Sequence, residues 1–237
     1  MLIIGVIIIC GNVEILIYNN YIMLVLDLCC GTQSIKEMCN KYNLEYIGLD
    51  INVITDKKRA DICVDILEWD YIKYFKENKM PDLIWFSPPC TEYSCLNNAM
   101  PDKKPNIELA NKIVMKGLEI IKYCNCKFIL ENPQTGTLKE QNFMIDLEFT
   151  DVDYCRYGFP YKKRTRLWNN LKFLGKLCFG KKDCNYMEKG KHLYSIGNSS
   201  YATNVRDVNT NKSRLGQRYS IPNPLIEEIF LVGNILY

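Results

Sequence analysis

The sequence predicts an α/β protein with a doubly wound, mainly parallel mixed sheet and a small C-terminal lobe. Short apolar runs typical of buried strands alternate with helical patterns after Met23. Such alternation favours a sheet with helices on both faces. From about residue 151 the pattern changes to short strands and then to a polar tract rich in Lys, Asn and Gly, which predicts the lobe. With 237 residues, the chain is long enough for one domain with a large core.

The first elements follow one another closely. Residues 1–22 are apolar but lack helical or alternating periodicity, so two interpretations stay open: an added leader, or an edge strand packed on the core. After Met23 we expect the strand Leu24–Leu28 and a helix over 34–43. Three strands follow, over 46–51, 61–66 and Leu83–Phe86.

The second half of the chain continues the pattern. The next helix has an apolar face formed by Ala110, Ile113, Val114, Leu118 and Ile121. Strands are expected over 127–130 and 166–168, and a helix opened by proline closes the chain over 221–230. We therefore assign 23–170 and 220–237 to the main domain and 171–219 to the lobe.

Charge is distributed unevenly. Residues 162–218 hold 14 Lys/Arg and three Asp/Glu, a net charge of +11, whereas the rest of the chain carries −8. A segment this basic predicts a polyanionic partner. The longest apolar run, 2–10, is about half the roughly 20 residues of a membrane helix, so we expect no membrane association. The 12 cysteines lie scattered in strand-like runs without a cleavable secretory signal, which favours a reducing compartment.

Residues that leave the first three strands predict a nucleoside pocket, because open α/β sheets bind ligands beyond the carboxyl ends of their strands. The turn over 27–34 contains Gly31, which permits close approach of the backbone to a ligand. Asp50 ends the second strand and can accept ribose hydroxyls, and Asp65 at the third can accept an adenine amino group. Each aspartate taken alone is also typical of a helix cap or turn.

Two reactive side chains follow the next two strands. Cys90 stands after two prolines that fix the backbone and present the thiol at a defined angle. Glu131 ends the following strand, where its carboxyl can neighbour that loop. A thiol attacking an aromatic ring needs a group that quenches charge developing on a ring nitrogen, so the two form a plausible catalytic pair. The alternative for Cys90 is a small buried apolar residue.

Arg164 and Arg166 alternate along a short strand. Alternate residues share a face, so both can point at one anionic or carbonyl group. A solvated basic edge strand is the other interpretation.

In this order, the segments resemble the motifs of the cytosine-5 DNA methyltransferases, in particular the compact proteins of phages and large DNA viruses. DLCCGTQS resembles the methyl-donor motif, and GLDI and VDI the second and third motifs. SPPCTEYS resembles the Pro-Pro-Cys nucleophile motif, LENP the Glu-Asn motif and YKKRTRLW the paired-Arg motif. IPNPLIEEI resembles the closing helix of the donor pocket.

The resemblance implies a Rossmann-like fold and S-adenosyl-L-methionine as cofactor. Asp27 and the backbone around Gly31 would lie near the methionine part, Asp50 at the ribose and Asp65 at the adenine. The implied donor site also includes the neighbours Leu28, Cys29, Ile51, Ile66 and Pro88.

The resemblance also implies a mechanism. Cys90 as thiolate adds to carbon 6 of cytosine, and Glu131 hydrogen-bonds ring nitrogen 3. Arg166 and Arg164 hold the base carbonyl and the Cys90 loop, and their charge would lower the pKa of the thiol. The partner is double-stranded DNA with the cytosine flipped out, since the ring cannot be attacked inside the stack. We expect a monomer in the cytoplasm or nucleus, wherever its DNA lies.

The sequence departs from the family pattern in places. Thr32 and Gln33 stand where the family usually carries a second glycine nearby, and Pro133 replaces a common valine. Lys162 replaces the glutamine that is usual two places before the first arginine. The lobe is short, roughly 50 residues, so the recognised DNA site is expected to be very short or weakly specified.

Cys178, Cys184 and His192 lie in the lobe and would bind zinc if Cys155 or another ligand came near. Their spacing matches no standard zinc pattern. We therefore expect incidental cysteines and no metal.

Two rival functions remain open from the residues. A catalytically silent protein would keep the donor fold and basic lobe only to bind nucleic acid, but binding alone needs no Cys90 thiol. An RNA cytosine-5 methyltransferase would use the same ring chemistry, and the resemblance alone favours DNA.

Overall fold

The computed structural model describes residues 2–9, 12–19, 21–51, 60–94, 104–180, 183–192 and 219–236. Its strands are β1 (Leu2–Ile9), β2 (Asn12–Asn19), β3 (Leu24–Leu28), β4 (Glu45–Asp50), β5 (Ile62–Cys63), β6 (Leu83–Phe86), β7 (Lys127–Pro133), β8 (Phe149–Asp153), β9 (Arg164–Asn169), β10 (Met187–Glu188) and β11 (Lys191–His192). Its α-helices are α1 (Ser34–Lys41), α2 (Tyr71–Glu77), α3 (Ile107–Cys124) and α4 (Asn223–Val232).

Seven strands form the main sheet in the order β5-β4-β3-β6-β7-β9-β8. The five strands from β5 to β7 pair in parallel, whereas β9 is antiparallel to both of its neighbours. The α/β fold with a mixed sheet is therefore confirmed. The strand order reverses between β3 and β6, and an open α/β sheet binds ligands at such a switch point.

Apolar side chains cover both faces of the sheet. One cluster joins the sheet to α1 and α4 through Ile35, Met38 and Phe230, all fully buried. The cluster on the other face packs α2 and α3 against the sheet, with Phe75 and Val114 in contact with the strands. The two helical layers hold the strand ends rigidly, which is what an active site built on those ends requires.

Helix α3 packs unusually close to β6. Asn106 caps its first turn by accepting a hydrogen bond from the Leu109 N–H at 3.1 Å. A Cβ at Gly117 would stand 2.1 Å from the Phe86 ring, so glycine lets the helix approach the strand. This close contact fixes β6, whose end leads into the Cys90 loop.

The observed elements differ from the sequence prediction in several places. Strand β5 has two residues because the chain forms turns directly after Cys63. Helix α2 and strand β8 were not predicted, since α2 has only seven residues and β8 has three polar residues among its five without regular alternation. Strands β1 and β2 pair with each other as a separate hairpin, so neither of these two strands joins the main sheet as an edge strand.

Most of the polar tract of the predicted lobe, 193–218, lies outside the described residues. The described part of the lobe contains the short β10–β11 hairpin. Within the described ranges, no helix is both long enough and apolar enough to cross a membrane.

Candidate active site

The Cys90 loop leaves β6 at the switch point of the sheet. Its first residue, Ser87, donates a backbone hydrogen bond to the Leu28 carbonyl at 3.1 Å, which ties the loop to β3. Pro88 is buried, and its carbonyl accepts a hydrogen bond from Asn132 Nδ2 at 3.1 Å. Farther along, the Tyr93 carbonyl accepts from the Thr137 N–H at 2.9 Å. The loop is therefore held on three sides while Cys90 itself stays partly exposed.

Glu131 lies next to Asn132 on β7 and is only 7% exposed. Its Oε1 atom accepts a hydrogen bond from the Tyr154 hydroxyl at 3.0 Å and from Lys163 Nζ at 3.4 Å. The ammonium group of Lys163 also stands 4.7 Å from the centre of the Tyr154 ring. A buried carboxyl thus has two donors that fix its orientation, as a buried polar group requires.

Electrostatics link Cys90 to this carboxyl. Burial raises the pKa of the Cys90 thiol, the charge of Glu131 raises it further, and Lys163 lowers it. The positive charge that favours the thiolate therefore comes from Lys163, whereas the sequence pointed to the arginines. Because the net pKa shift is upward, the free thiol predominates at neutral pH.

Arg164 and Arg166 share a face of β9, as expected, and each faces a carboxylate of β8. Arg164 binds Asp153 through Nε and Nη2 at 3.1 and 2.7 Å. Arg166 binds Asp151 through the same atoms at 2.8 and 2.9 Å, and its guanidinium lies 3.5 Å from the centre of the Phe149 ring. The structure brings Cys90, Glu131 and Lys163 into one site, where Lys163 contacts Glu131 and both act on the thiol. Arg164 and Arg166 are held by carboxylates of β8, and the strand register places them on the sheet face of Asn132, opposite to that of Glu131.

Asp27 and the loop after β3 form one side of the predicted donor site. The Asp27 carboxyl is 2% exposed and accepts a hydrogen bond from the Tyr46 hydroxyl at 2.9 Å. Burial raises its pKa to about 8, which keeps it protonated at neutral pH. Cys29 and Gly31 both have positive φ, 58° and 43°, so the backbone after the buried Leu28 turns sharply at the strand end.

Asp50 and Asp65 lie at the ends of β4 and β5. Asp50 accepts a hydrogen bond from the Gly31 N–H at 3.0 Å, and Asp65 accepts one from the Leu67 N–H at 2.9 Å. Ile51 exposes 60% of its surface beside Asp50, whereas Ile66 is buried.

The side chains at these strand ends and the backbone near Gly31 suit a ligand made of a nucleoside with an amino-acid tail. Two acidic acceptors and one exposed apolar side chain stand at neighbouring strand ends, and a Cβ at Gly31 would meet nothing closer than the Cys29 carbonyl oxygen at 3.7 Å. Among the residues that the structure describes, none fills the space beside Gly31, so a ligand can approach the backbone there.

Three residues near the Cys90–Glu131 pair were missing from the predicted site. Asn132 and Lys163 lie inside the LENP and YKKRTRLW segments, so reading every polar residue of those segments would have found them. Tyr154 has no sequence signal, because it reaches Glu131 only after β8 pairs with β9.

Outside this site, the structure brings together four side chains that could hold a metal ion. Cys155, Cys178, Cys184 and His192 lie together with their ligand atoms within 4.8 Å of one another. Cys155 is the neighbour that the sequence alone did not place there.

No protein-family model matches the chain. It is 34% identical over 221 residues to a protein of Frog virus 3 (isolate Goorha) named "Probable DNA (cytosine-5)-methyltransferase", and the match covers 87% of this chain and 98% of the relative. Among solved structures, the Dnmt2 methyltransferase of S. pombe matches with 15% identity and a TM-score of 0.43, over 66% of this chain and 52% of that one. The Entamoeba histolytica methyltransferase EhMeth matches with 16% identity and a TM-score of 0.48, over 67% and 56%. The chain spans about half the length of these two solved structures.

Proposed function

Because this chain belongs to the DNA (cytosine-5)-methyltransferases, we propose that Cys90 and Glu131 act together on one cytosine ring. The activity of the family is transfer of a methyl group from S-adenosyl-L-methionine to carbon 5 of cytosine, and the substrate is a nucleic acid. We also propose that the substrate is double-stranded DNA with a flipped base and that the enzyme acts as a monomer.

The hydrogen bond from Asn132 to the Pro88 carbonyl is the observation that carries the proposal. It joins the loop of the candidate nucleophile to the strand of the candidate acid, at 3.1 Å. The Glu131 charge acts on the Cys90 thiol, so the two groups share one electrostatic environment. A protein that only bound nucleic acid would need neither group in this arrangement.

The chemistry begins with the thiolate of Cys90. Its sulfur forms a bond to carbon 6, and the electron pair of the carbon 5–carbon 6 double bond moves into the ring. Glu131 in its protonated form donates to ring nitrogen 3 and quenches the negative charge there. Carbon 5 would then bond to the methyl group as the methyl–sulfur bond of the donor breaks and its electron pair goes to sulfur, which leaves the neutral thioether S-adenosyl-L-homocysteine. Carbon 5 then loses its proton to a base. The returning electron pair restores the double bond and expels the sulfur.

The surrounding residues orient this pair. Tyr154 and Lys163 both donate to Oε1 of Glu131. The other carboxyl oxygen, Oε2, would bind the cytosine base. Lys163 also favours the thiolate of Cys90. Arg166 and Arg164, fixed by Asp151 and Asp153, supply positive charge toward the base carbonyl and the Cys90 loop.

S-adenosyl-L-methionine supplies the electrophilic methyl group when bound. Asp50 and Asp65 would accept the hydrogen bonds of its ribose and adenine, and the exposed Ile51 side chain would contact the base. The backbone at Cys29 and Gly31 would approach the methionine part, with Asp27 supporting the strand end from within the core. Leu28, Ile66 and Pro88 are buried and would support this side of the site from behind.

The substrate cytosine would leave the duplex to reach the Cys90–Glu131 pair, because a stacked ring cannot be attacked from one face and methylated from the other. We assign 23–170 and 220–237 to catalysis and the basic segment 171–219 to recognition of the DNA backbone and target. Residues 1–22 take no part in the chemistry.

Covalent trapping tests the proposal. Double-stranded DNA containing 5-fluorocytosine and S-adenosyl-L-methionine should give a stable protein–DNA adduct with the wild-type chain, because fluorine cannot leave carbon 5 as a proton does. Cys90→Ala should give none. Cys63→Ala, which removes an exposed thiol at the end of β5, should trap as the wild type does.

Absence of an adduct with folded wild type, or an undiminished adduct with Cys90→Ala, would reject Cys90 as the nucleophile. The same sequence supplied as duplex DNA, single-stranded DNA and RNA tests which nucleic acid is the substrate, independently of the role of Cys90. Trapping on RNA alone would keep the nucleophile and overturn the DNA substrate.

A further inference from the structure

Three cysteines and the single histidine of the chain come together beside the end of β8. Cys155 lies in the short 3-10 helix Tyr154–Tyr157, Cys178 and Cys184 lie in the segment after β9, and His192 ends β11. Their ligand atoms all lie within 4.8 Å of one another. The three cysteines are buried and free of disulfides.

The distances inside this cluster suit a tetrahedral metal site. The Sγ atoms of Cys178 and Cys184 both lie 3.5 Å from Nε2 of His192. In a tetrahedron with Zn–S near 2.3 Å and Zn–N near 2.0–2.1 Å, sulfur and nitrogen are about 3.5 Å apart. The arrangement therefore needs little movement to close around one ion.

We propose that Cys155, Cys178, Cys184 and His192 bind one structural zinc ion. Three thiolates and one imidazole form a set that zinc prefers, and four protein ligands leave no open position for a substrate. The site is thus separate from the methyl-transfer chemistry and does not depend on it.

The local structure gives such an ion a role. Strands β10 and β11 contain two residues each, and the buried apolar groups around them are the three cysteines, packed by Tyr186 and Met187. So small an apolar cluster contributes little to folding, and small units of this kind are commonly stabilised by a metal. Zinc would take the place of a larger apolar core in the described part of the lobe.

Hydrogen bonds around the cluster connect it to the catalytic sheet. Asp153, which is fully buried, accepts from the Cys178 N–H at 2.8 Å and also binds Arg164. The Phe179 N–H donates to the Asp183 carboxylate at 3.1 Å, which closes the segment between the two cysteines. The zinc would therefore fix Cys178 relative to Asp153, and with it the anchor of Arg164 on β9.

Metal analysis of the purified full-length chain tests this proposal without DNA or methyl donor. Protein prepared without chelators should contain about one zinc ion per chain. After removal of the zinc, Co²⁺ should give the d–d bands of a tetrahedral site and thiolate-to-cobalt charge-transfer bands. Cys184→Ser and His192→Ala should each weaken Co²⁺ binding by more than about 100-fold, because outer-shell changes alone cost about 10–100-fold.

Cys124→Ser is the matched control, because Cys124 is a half-buried cysteine on α3 away from the cluster. It should keep the zinc content and the cobalt spectrum of the wild type. The proposal would be overturned if folded wild-type protein contained no zinc and gave no tetrahedral cobalt spectrum. This outcome does not depend on whether a variant folds. An unchanged cobalt affinity in folded Cys184→Ser would overturn it as well.

Discussion

The side-chain amide of Asn132 donates to the backbone carbonyl of Pro88 at 3.1 Å, and through this bond strand β7 holds the loop that carries Cys90. Asn132 is 1% exposed, so water cannot replace the bond if the amide is lost. The bond makes the position of the thiol depend on the strand that bears the neighbouring Glu131. The proposed catalytic pair is thus positioned by one backbone acceptor and one buried amide.

Asn132→Ala should slow covalent trapping on 5-fluorocytosine DNA by about 10- to 100-fold, the cost of a nucleophile displaced by about 1 Å. The unsatisfied Pro88 carbonyl should also lower the free energy of unfolding by about 1–3 kcal/mol. The trapping rate is measured at saturating DNA and donor on protein shown to be folded by circular dichroism. Asn78→Ala, which removes an exposed amide bonded to the Tyr74 carbonyl, is the control. Equal trapping rates in both variants would contradict the positioning role.

Replacement of Lys163 should change the pH dependence of the reaction. Lys163 lowers the pKa of Cys90, against burial and Glu131, which raise it above 9.0. In Lys163→Met the thiol pKa should rise further, so the thiolate fraction at a given pH falls about tenfold for each unit of pKa. The pH profile of adduct formation should therefore move to higher pH, while Lys163→Arg should keep the wild-type profile.

The neighbouring residue supplies the control for that experiment. Lys162 is more exposed and pairs with Asp153 at 3.8 Å rather than with Glu131. Lys162→Met should leave the profile in place. A profile that moves equally in both lysine variants would show that general surface charge, and not the Lys163 contact, sets the thiol pKa.

Much of this site could be predicted from sequence because its residues follow strands with strong apolar signals. Leu24–Leu28 and Leu83–Phe86 are fully buried, and their bounds agree with the prediction. The prediction therefore placed Gly31 and Cys90 at strand ends. Tyr154 escaped it, because its contact with Glu131 forms only through the antiparallel pairing of β7, β9 and β8. In β8 and β9, at the edge of the sheet, the direction of a side chain depends on tertiary packing. The periodicity of the sequence does not predict that direction.

The cluster of Cys155, Cys178, Cys184 and His192 was even harder to predict from the sequence. Its ligands come from a 3-10 helix, an irregular segment and a two-residue strand. None of these has a sequence period, and the spacing from Cys155 to Cys178 spans the whole of β9. Only the fold brings them together, so a search for short ligand motifs finds three of the four residues without a reason to join them.

Asp27→Asn should change how stability depends on pH. Burial raises the pKa of Asp27 from 3.8 to about 8. Between these values the folded state keeps the proton and the unfolded chain has lost it. The contribution of Asp27 is thus fully present below pH 3.8 and is lost as pH rises through about 8. Asparagine carries no charge and can still accept from the Tyr46 hydroxyl, so the variant should lose this part of the pH dependence.

Urea denaturation of wild type and Asp27→Asn at several values between pH 4 and 8 measures the effect. The difference in free energy of unfolding should move in favour of the variant with rising pH, by up to about 1.4 kcal/mol per unit. Asp146→Asn, at an exposed position, should run parallel to the wild type. Parallel curves for wild type and Asp27→Asn would mean that Asp27 is ionised in the folded protein.

A double-mutant cycle on Asp151 and Arg166 should separate anchoring from catalysis. The pair is bidentate at 2.8 and 2.9 Å with side-chain exposures of 20% and 14%, so a coupling of about 1–3 kcal/mol is expected in unfolding experiments. The more exposed pair Lys79–Glu45 at 3.1 Å should show a smaller coupling.

Asp151→Asn keeps the Arg166 charge but removes its anchor, so it should slow trapping less than Arg166→Gln does. If Arg166→Gln lowers stability but traps at the wild-type rate, the guanidinium serves the β8–β9 pairing and not the cytosine.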